Sequence, residues 1–512
     1  MFSYLCPKYV MMKLRSVLII FVSIVTQLLC VGCDIGNATL YKIDADDVVC
    51  THVEQNVVVE YFVHKDITNS DVKFNVRCSE PWVTLVDNSQ NGVVELHVES
   101  NEGKYRSAAI TISAPRCQEI TITLLQYGAP PAVAEHTLMF YFFGTSLSRY
   151  FTTNLEDASS AIETGILGNS NRVVFFRQES KTKGYIGELC YDVSGGECIE
   201  QRLMEITLDG DSRITPELIG EYISTMAEIA PANRYGIVFA GHGQGWILRD
   251  IVNGESDITT LSAGYNPWIP TVGAEVTRAF GENNVQVDID ELVEGVDCSG
   301  VALDYILFDA CFMSNIEAIY DLRNSANYII ASPCEIMGKG FPYHRTLPYL
   351  FANFGQSTDY VGAAKSYYEY YRDEYVGSSR CGSVAVYECA DIESLADATR
   401  AVMQTAKQKG EYDVSSLQSY EGQRKHQFYD FGEWVNVVAT NGEALDRFNA
   451  QMKECVVAAF TLDTFYSAYG NYGTYPIDTE VYSGVTTSAP SEAYPNGWTT
   501  TNWYKEVIAL EN

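Results

Sequence analysis

The sequence predicts an α/β domain, with a largely parallel sheet covered by helices, that follows a small all-β sandwich. Short alternating strands with Asn, Gly and Ser turns fill residues 47–128, and a Pro-rich break at 129–135 ends that pattern. Beyond the break come strands that are apolar along their whole length, which belong in a sheet covered on both faces. The length of 512 residues agrees with this division, because it exceeds what one hydrophobic core supports.

The composition is that of a folded, acidic protein. Hydrophobic residues make up 46% of the chain and aromatic residues 12%, which predicts a compact fold. There are 34 Lys and Arg against 66 Asp and Glu, and the formal net charge of -32 repels both nucleic-acid phosphates and anionic lipid headgroups. We therefore predict no nucleic-acid partner. An acidic surface also attracts basic peptides, but we prefer the interpretation that it keeps an exported protein soluble.

Residues 1–33 are predicted to be a lipoprotein signal peptide. Lys13 and Arg15 precede an apolar run at 17–29, an order that is typical of secretory signals. A glycine then precedes Cys33, which resembles the bacterial lipoprotein box whose cysteine carries the lipid. The position three residues earlier is usually Leu and here is Cys30, so ordinary signal cleavage and an uncleaved anchor are the alternatives. We expect an exported chain, held by a lipid on Cys33 to the cell envelope, at the outer membrane or the cell surface.

The 14 cysteines do not indicate a metal site. Cys30 and Cys33 form the only C-x-x-C spacing, and both lie in the signal region. Export permits disulfides, and the best local candidate is a bridge between Cys190 and Cys198, which flank a Ser-Gly-Gly turn. We expect most other cysteines to be free buried thiols.

The strands of residues 47–128 predict a small antiparallel sandwich. A Pro-Trp-Val motif at 81–83 and a closing strand at 120–126 resemble the BACON domain, an immunoglobulin-like module at the start of many secreted Bacteroidetes enzymes. The resemblance implies glycan contact, which Trp82 would make by stacking on a sugar. A single Trp in a sandwich is more often part of the core, so we expect this module to be a spacer between membrane and enzyme.

Four apolar strands and one amphipathic helix indicate the α/β part. The helix has Thr215 as N-cap and Pro216 in its first turn, with apolar residues at helical spacing up to Ile229. The strands are expected at 137–143, 173–176, 235–240 and 305–308. Catalytic groups in open parallel sheets gather at the carboxyl ends of strands, so the residues after each strand are the first candidates for a site.

A His and a Cys follow two of these strands. His242 stands between glycines after the third strand, and Cys311 follows the fourth. The glycines leave room for a substrate chain, and apolar residues at helical spacing after Cys311 predict a helix whose N-terminus favours the thiolate. Taken singly, such a His is more often a loop residue and such a Cys a small core residue. Their joint position at two strand ends favours chemistry.

This pair is sufficient for acyl transfer. Cys311 would attack a peptide carbonyl, His242 would carry the proton, and the main-chain N–H groups of Gly243 and Cys311 would hold the oxyanion. Since no Gly-rich phosphate loop follows a strand, no nucleotide is implied.

The segments around both residues resemble a known family. Residues 235–246, Tyr-Gly-Ile-Val-Phe-Ala-Gly-His-Gly-Gln-Gly-Trp, and 306–317, Ile-Leu-Phe-Asp-Ala-Cys-Phe-Met-Ser-Asn-Ile-Glu, are similar to the His and Cys blocks of the clostripain family. The resemblance covers 136–400, which we assign to the peptidase domain, with 401–512 as its C-terminal part. It implies a caspase-like α/β sheet with flanking helices and a cysteine endopeptidase that cleaves protein or peptide substrates after Arg or Lys.

The resemblance also implies how a basic side chain is chosen. The family's acidic residue two positions before the nucleophile helps to bind that side chain, and Asp309 matches it. The alternative is a structural Asp that holds the turn. Glu335 is a candidate second acid. These two acids predict a preference for Arg over Lys, and they do not predict that Lys is excluded.

Many family members cut themselves between the His and Cys blocks. The only basic residues between His242 and Cys311 are Arg249 and Arg278, and we prefer Arg249 because its surroundings are polar and contain Gly. An uncut active chain is the alternative.

Two other functions stay open at this point. One is a noncatalytic surface lipoprotein with a glycan-binding β-module and a degenerate peptidase domain, and the other is a peptidase with non-basic specificity, as in caspases or legumains. No cofactor is required by the proposed chemistry. Some relatives use calcium, and its role here is left open because the sequence has no EF-hand-like loop.

Overall fold

The computed structural model describes residues 41–50, 52–64, 74–90, 92–102, 106–126, 133–168, 170–192, 196–209, 214–252, 272–278, 286–351, 357–489 and 493–509. The predicted signal peptide with Cys33 lies outside them, as does most of the predicted linker. In the described part of the chain, no helix is long and apolar enough to cross a membrane. The chain divides into a β-rich N-terminal unit and a larger unit that takes in everything from Leu125 onward.

In the described residues, the N-terminal unit has two four-stranded sheets, ordered β1-β3-β6-β5 and β2-β8-β7-β4. The strands are β1 (Ile43–Ala45), β2 (Val48–Cys50), β3 (Gln55–Val63), β4 (Asn75–Cys78), β5 (Val83–Asp87), β6 (Val93–Val98), β7 (Arg106–Ser113) and β8 (Ile120–Gln126). Every second residue of β6 and β7 is buried, which indicates sheets covered on one face. Trp82 is only 8% exposed, in agreement with its interpretation as a core residue.

Nine described strands of the larger unit form one sheet, ordered β12-β11-β10-β9-β13-β14-β15-β16-β18. These strands are β9 (Ala134–Phe142), β10 (Asn171–Ser180), β11 (Lys183–Asp192), β12 (Glu197–Thr207), β13 (Ala232–Ala240), β14 (Leu303–Asp309), β15 (Ala326–Ala331), β16 (Val384–Glu388) and β18 (Val456–Phe460). Two short ribbons pair β17 (Tyr429–Asp430) with β21 (Thr486–Thr487) and β19 (Thr464–Ser467) with β20 (Gly473–Pro476).

The centre of this sheet is parallel, as the apolar strands predict. β10, β9, β13, β14 and β15 run in one direction, while the strands beyond them on both sides pair antiparallel. β9 lies between β10 and β13, so the chain passes from β9 to one side of the sheet and then returns to the other. Such a reversal opens a crevice at the carboxyl ends of the strands, which is where ligands bind in sheets of this kind.

Helices flank the sheet. They are α1 (Ser148–Ile162), α2 (Pro216–Ile229), α3 (Arg249–Val252), α4 (Ile289–Ser299), α5 (Ile316–Asp321), α6 (Tyr343–Leu350), α7 (Tyr360–Glu374), α8 (Ile392–Met403), α9 (Phe431–Val438), α10 (Gly442–Cys455) and α11 (Pro495–Trp498), with 3-10 turns at Leu322–Asn324, Gly377–Ser379, Cys389–Asp391 and Val414–Ser416 and a π turn at Tyr504–Ile508. α2 begins as predicted, because the Thr215 hydroxyl accepts from the Leu218 N–H at 3.4 Å and caps the helix.

The predicted bridge between Cys190 and Cys198 is wrong, because both thiols are free. In the β11–β12 pair, Cys190 lies opposite Ile199 and Cys198 opposite Tyr191. Paired residues share a face of the sheet and neighbours along a strand alternate, so the two cysteines point to opposite faces.

Candidate active site

His242 and Cys311 follow neighbouring parallel strands. Ala240 at the end of β13 pairs with Asp309 at the end of β14, so the two loops leave the sheet side by side. A Cβ atom added to Gly243 would lie 2.2 Å from the carbonyl oxygen of Cys311, a distance that no side chain tolerates. Glycine at this position therefore lets the backbone of the His loop approach the backbone of the Cys loop.

The Cys311 thiol is fully buried against the peptide group of Ile336. The Ile336 N–H donates to Sγ at 2.9 Å, and the thiol reaches the Ile336 carbonyl oxygen at 3.6 Å. Burial raises the pKa of Cys311 well above its usual value, and the nearby Glu335 carboxyl raises it further. In this state of the molecule the sulfur is therefore a thiol and not a thiolate.

The expected helix directly after Cys311 is absent from this described stretch. α5 begins only at Ile316, five residues after Cys311, so the nucleophile does not lie in the first turn of that helix. Phe312 explains the interruption, since its φ of 60° lies in the left-handed region and ends the regular backbone after the nucleophile. Its ring stacks on Phe428 at a centroid distance of 4.4 Å, which holds this strained residue in place.

His242 is partly exposed and lies beside Ser146. Its Nε2 is 2.9 Å from the Ser146 hydroxyl oxygen, in the loop between β9 and α1. Ser146 could not be predicted from the sequence, because no motif marks a serine in that loop.

Residues 275–278 form a short segment, the 275–278 segment, that lies beside these loops. We call the crevice that it occupies, at the carboxyl ends of the strands, the cleft. The Arg278 N–H donates to the Ile336 carbonyl at 2.8 Å, and the Gly338 N–H donates to the Val276 carbonyl at 2.7 Å. Thr277 lies opposite Met337 in an antiparallel bridge. The segment is therefore bound as an extended peptide adds to a sheet edge.

The carbonyl oxygen of Arg278 receives both N–H groups that the sequence assigns to the oxyanion. Gly243 donates to it at 2.8 Å and Cys311 at 3.2 Å. Two donors that converge on one carbonyl oxygen polarise that carbonyl and stabilise negative charge on its oxygen.

The Arg278 side chain is fully buried in a polar pocket. Nη1 lies 3.0 Å from the Asp309 carboxylate and also donates to the Asp309 carbonyl at 3.0 Å. Nη2 donates to Asn154 Oδ1 at 2.7 Å, and Nε donates to the Gly338 carbonyl at 3.2 Å. Asn154 is held in this orientation because its amide N–H donates to the Lys339 carbonyl at 2.8 Å.

The remaining pocket contacts fix the Asp309 carboxylate. The Tyr343 hydroxyl donates to it at 2.7 Å, and the Phe341 N–H lies 3.3 Å from both oxygens. Burial raises the pKa of Asp309, while the Arg278 charge and the Tyr343 hydroxyl counteract that rise. Gly340, at φ 69°, forms the wall: an added Cβ would lie 2.4 Å from both Arg278 Nη2 and Asp309 Oδ1.

The structure places Glu335 beside Thr277 and not beside the guanidinium. Its Oε2 accepts from the Thr277 hydroxyl at 2.7 Å, and its Oε1 accepts from the Ser467 hydroxyl at 2.7 Å. The Ala468 N–H lies 3.1 Å from both oxygens. Side chains alternate along an extended chain, so Thr277 and Arg278 leave on different sides and meet different acids.

Arg249, our preferred self-cleavage site, is engaged elsewhere. It opens α3 and pairs with Glu291 at 2.9 Å and with Asp288 at 3.3 Å. Of the two arginines between His242 and Cys311, it is thus Arg278 that reaches the cleft. Asn154 was missed by the sequence analysis, although a polar residue on the buried face of α1, among Phe151, Leu155 and Ala158, was an available signal.

Comparisons with known proteins identify one family and several similar structures. The Clostripain family model matches residues 200–506. A secreted C11 cysteine protease from Bacteroides thetaiotaomicron, called iotapain, is 29% identical, with a TM-score of 0.62 over 74% of this chain and 100% of that one. An inactive zymogen C11 protease from Parabacteroides distasonis is 26% identical, with a TM-score of 0.60 over 74% and 99%.

A third structure, a secreted C11 cysteine protease from Bacteroides thetaiotaomicron with an irreversible peptide inhibitor, shares the fold at 23% identity and a TM-score of 0.59 over 73% and 99%. No curated protein matches the chain. The family model covers more than half of the 512 residues, and it includes the His and Cys blocks. The chain belongs to the clostripain family, and it is a cysteine protease.

Proposed function

We propose that the chain is an exported endopeptidase that cleaves after arginine, with Cys311 as nucleophile and His242 as base. We further propose that the uncut chain is inhibited by its own 275–278 segment and that it cuts itself after Arg278. The seating of Arg278 is the observation that supports this most. Its carbonyl oxygen accepts from Gly243 and Cys311 while its guanidinium pairs with Asp309. A peptide about to be hydrolysed needs both contacts at once.

The proposed reaction is acyl transfer through a thioester. His242 takes the thiol proton of Cys311, and the sulfur attacks the arginine carbonyl carbon while the two N–H groups hold the oxyanion. The C–N bond then breaks, and His242 gives its proton to the leaving amine. Water attacks the thioester with His242 as base, which releases the carboxylate product and restores the thiol.

Arginine is preferred over lysine in this proposal because three separate guanidinium nitrogens are bonded. Nε, Nη1 and Nη2 of Arg278 each donate to a different group, from Gly338, Asp309 and Asn154. The planar fork of arginine spreads its donors in fixed directions, whereas lysine offers donors from a single nitrogen.

The 275–278 segment would also keep the uncut chain inactive. It fills the place where another peptide would bind, and with it in place Cys311 is fully buried. Burial is the largest cause of the raised pKa of that thiol, and a protonated thiol is a poor nucleophile. Cleavage after Arg278 would let the segment leave and let water reach the sulfur.

Fragment analysis on a denaturing gel with mass spectrometry tests the proposal. Wild type is expected to split after Arg278, while Cys311→Ala and Arg278→Ala stay whole. Arg249→Ala is the matched control and should cut like wild type. A split after Arg249, or cutting of the Cys311→Ala chain, would contradict the proposal.

Fluorogenic peptides that end in Arg, Lys, Asp or Asn then separate the remaining functions. We expect hydrolysis of the Arg peptide first and its loss in Cys311→Ala and His242→Ala. Preference for Asp or Asn would indicate specificity of the caspase or legumain kind. A chain that cleaves none of these peptides, cut or uncut, would favour the noncatalytic lipoprotein.

We also propose lipid attachment at Cys33 and a spacer role for the N-terminal β unit. The signal-like order of residues before Cys33 supports the lipid, and the burial of Trp82 supports the spacer over a sugar-stacking role. Incorporation of labelled palmitate in wild type and its loss in Cys33→Ser would support the anchor. Equal labelling of both would remove it, and specific binding on a glycan array would overturn the spacer role.

A further inference from the structure

We propose that the cleft reads four substrate residues and prefers the sequence acidic–any–hydroxylated–Arg, with Glu335 selecting the hydroxyl and Ser378 and Ser379 selecting the acid. Substrate positions are counted back from the cleaved bond, so Arg278 is position 1 and Glu275 is position 4. This inference rests on the proposed function, because it treats the 275–278 segment as a bound substrate.

The hydroxyl group of Thr277, at position 2, lies in a buried site with little access for solvent. Thr277 and Glu335 are both buried, at 5% and 3% exposure, and they share a 2.7 Å hydrogen bond. Ser467 and Ala468 supply the other donors to the carboxyl. Since water has little access, a position-2 side chain without a donor would leave Glu335 Oε2 underbonded.

Both protonation states of Glu335 suit a hydroxyl. Burial raises the pKa of Glu335 to about 7, so both states are populated near neutral pH. A hydroxyl donates to the ionised carboxyl and accepts from the protonated one. Valine has the shape of threonine but can do neither, and it is therefore the sharpest comparison at position 2.

The acid at position 4 meets two hydroxyls on one turn. The Glu275 carboxylate accepts from Ser378 at 2.7 Å and from Ser379 at 3.2 Å, both in the Gly377–Ser379 turn. The Glu275 N–H donates to the Tyr466 hydroxyl at 2.8 Å, which fixes the backbone there. These serines are only partly buried, whereas Glu335 is almost fully buried, so we expect a weaker preference than at position 2.

Position 3 provides an internal control. Val276 is 52% exposed, and its backbone carbonyl, not its side chain, is held by the Gly338 N–H. Its side chain should therefore have little influence on binding.

The test compares fluorogenic tetrapeptides on the full chain after it has been incubated to process itself. The parent peptide is Glu-Val-Thr-Arg, and single replacements put Val at position 2, Ala at position 4 or Ala at position 3. We expect kcat/KM to fall about tenfold or more for Val at position 2, where a buried carboxyl loses a donor. Ala at position 4 should cost about two- to fivefold, and Ala at position 3 less than about twofold.

Variants assign each preference to its residues. The Ser378→Ala/Ser379→Ala double variant should shrink the ratio of kcat/KM between the Glu and the Ala peptide toward one; an unchanged ratio would contradict the role of the two serines. Glu335→Ala should remove the difference between Thr and Val. If that variant fails to fold, the wild-type comparison of Thr with Val decides alone.

Two failures are distinguishable. Equal kcat/KM for Thr and Val at position 2 overturns this inference while hydrolysis of all Arg peptides upholds the proposed function. Absence of hydrolysis for every Arg peptide, or full activity in Cys311→Ala, overturns the proposed function itself.

Discussion

Replacement of Asn154 by leucine should weaken the proposed preference of the cleft for arginine over lysine. Asn154 Oδ1 accepts from Arg278 Nη2 at 2.7 Å, and the rest of the pocket contacts the other guanidinium nitrogens. Leucine has a similar size, and the neighbours of Asn154 on the buried face of α1 are already apolar. The variant therefore removes the acceptor for Nη2 and the donor to the Lys339 carbonyl, while the packing of α1 against its apolar neighbours stays largely intact.

The expected loss follows from the kind of bond. A buried hydrogen bond to a charged group contributes about 1.5–3 kcal/mol, and about 1.4 kcal/mol corresponds to tenfold in kcat/KM. We thus expect kcat/KM for Arg peptides to fall roughly tenfold to a hundredfold. A lysine ammonium has no counterpart of Nη2, so kcat/KM for Lys peptides should change by less than about threefold.

The assay is the ratio of kcat/KM for two peptides that differ only in their final Arg or Lys. A ratio cancels any general loss of active protein, which makes it insensitive to partial misfolding. An equal fall for both peptides would refute the assignment, because it would mean that Asn154 acts on folding or on the nucleophile and not on the guanidinium.

Three further predictions concern the seated segment. Gly340→Ala should reduce both self-cleavage and peptide hydrolysis by about a hundredfold or more, with an unchanged circular dichroism spectrum. The new methyl carbon would lie 2.4 Å from the position of Arg278 Nη2 and would therefore overlap the guanidinium site. Activity within tenfold of wild type would contradict this. Thr277→Val should slow self-cleavage about tenfold on a gel time course, because it removes the 2.7 Å hydrogen bond to the buried Glu335. Val276→Ala is the control and should cut at the wild-type rate. Equal rates for the two variants would disprove the role of that hydrogen bond. In the freshly purified uncut chain, iodoacetamide should label the exposed Cys298 and spare Cys311 up to about pH 9. The reason is that the pKa of Cys311 is raised well above its usual value, and the reactive thiolate forms only when the pH approaches that pKa. Rapid labelling of Cys311 at pH 7 would exclude a buried thiol.

The sheet and the edge that carries the candidate catalytic residues could be predicted because they depend on local patterns. Strands such as β9 and β14 are buried along nearly their whole length, so they appear in the sequence as unbroken apolar runs. His242, Cys311 and Asp309 follow directly from the ends of such strands. The hairpin of β11 and β12 was not predicted, because β12 is mostly exposed and mixes charged with apolar residues, so it lacks an unbroken apolar run.

The contents of the cleft could not be predicted because they depend on where distant segments fold. The sequence reduced the candidates for a self-cleavage site to two arginines, but the choice between them depends on which one crosses the crevice. Arg249 has a more polar sequence around it, yet two acids from α4 and its cap hold its side chain. Likewise the partner of Glu335 is decided by the antiparallel pairing of Thr277 with Met337, some sixty residues apart in the chain.

The position of the 275–278 segment in the cleft of its own chain would make the proposed first cut a first-order reaction. Because the segment and the cleft belong to one chain, the local concentration of the first scissile bond is independent of how many molecules are present. The half-time of the first cut should then be the same in dilute and concentrated samples. A molecule would then mature without a second copy nearby, and the rate constant of this first cut would set the delay before activity.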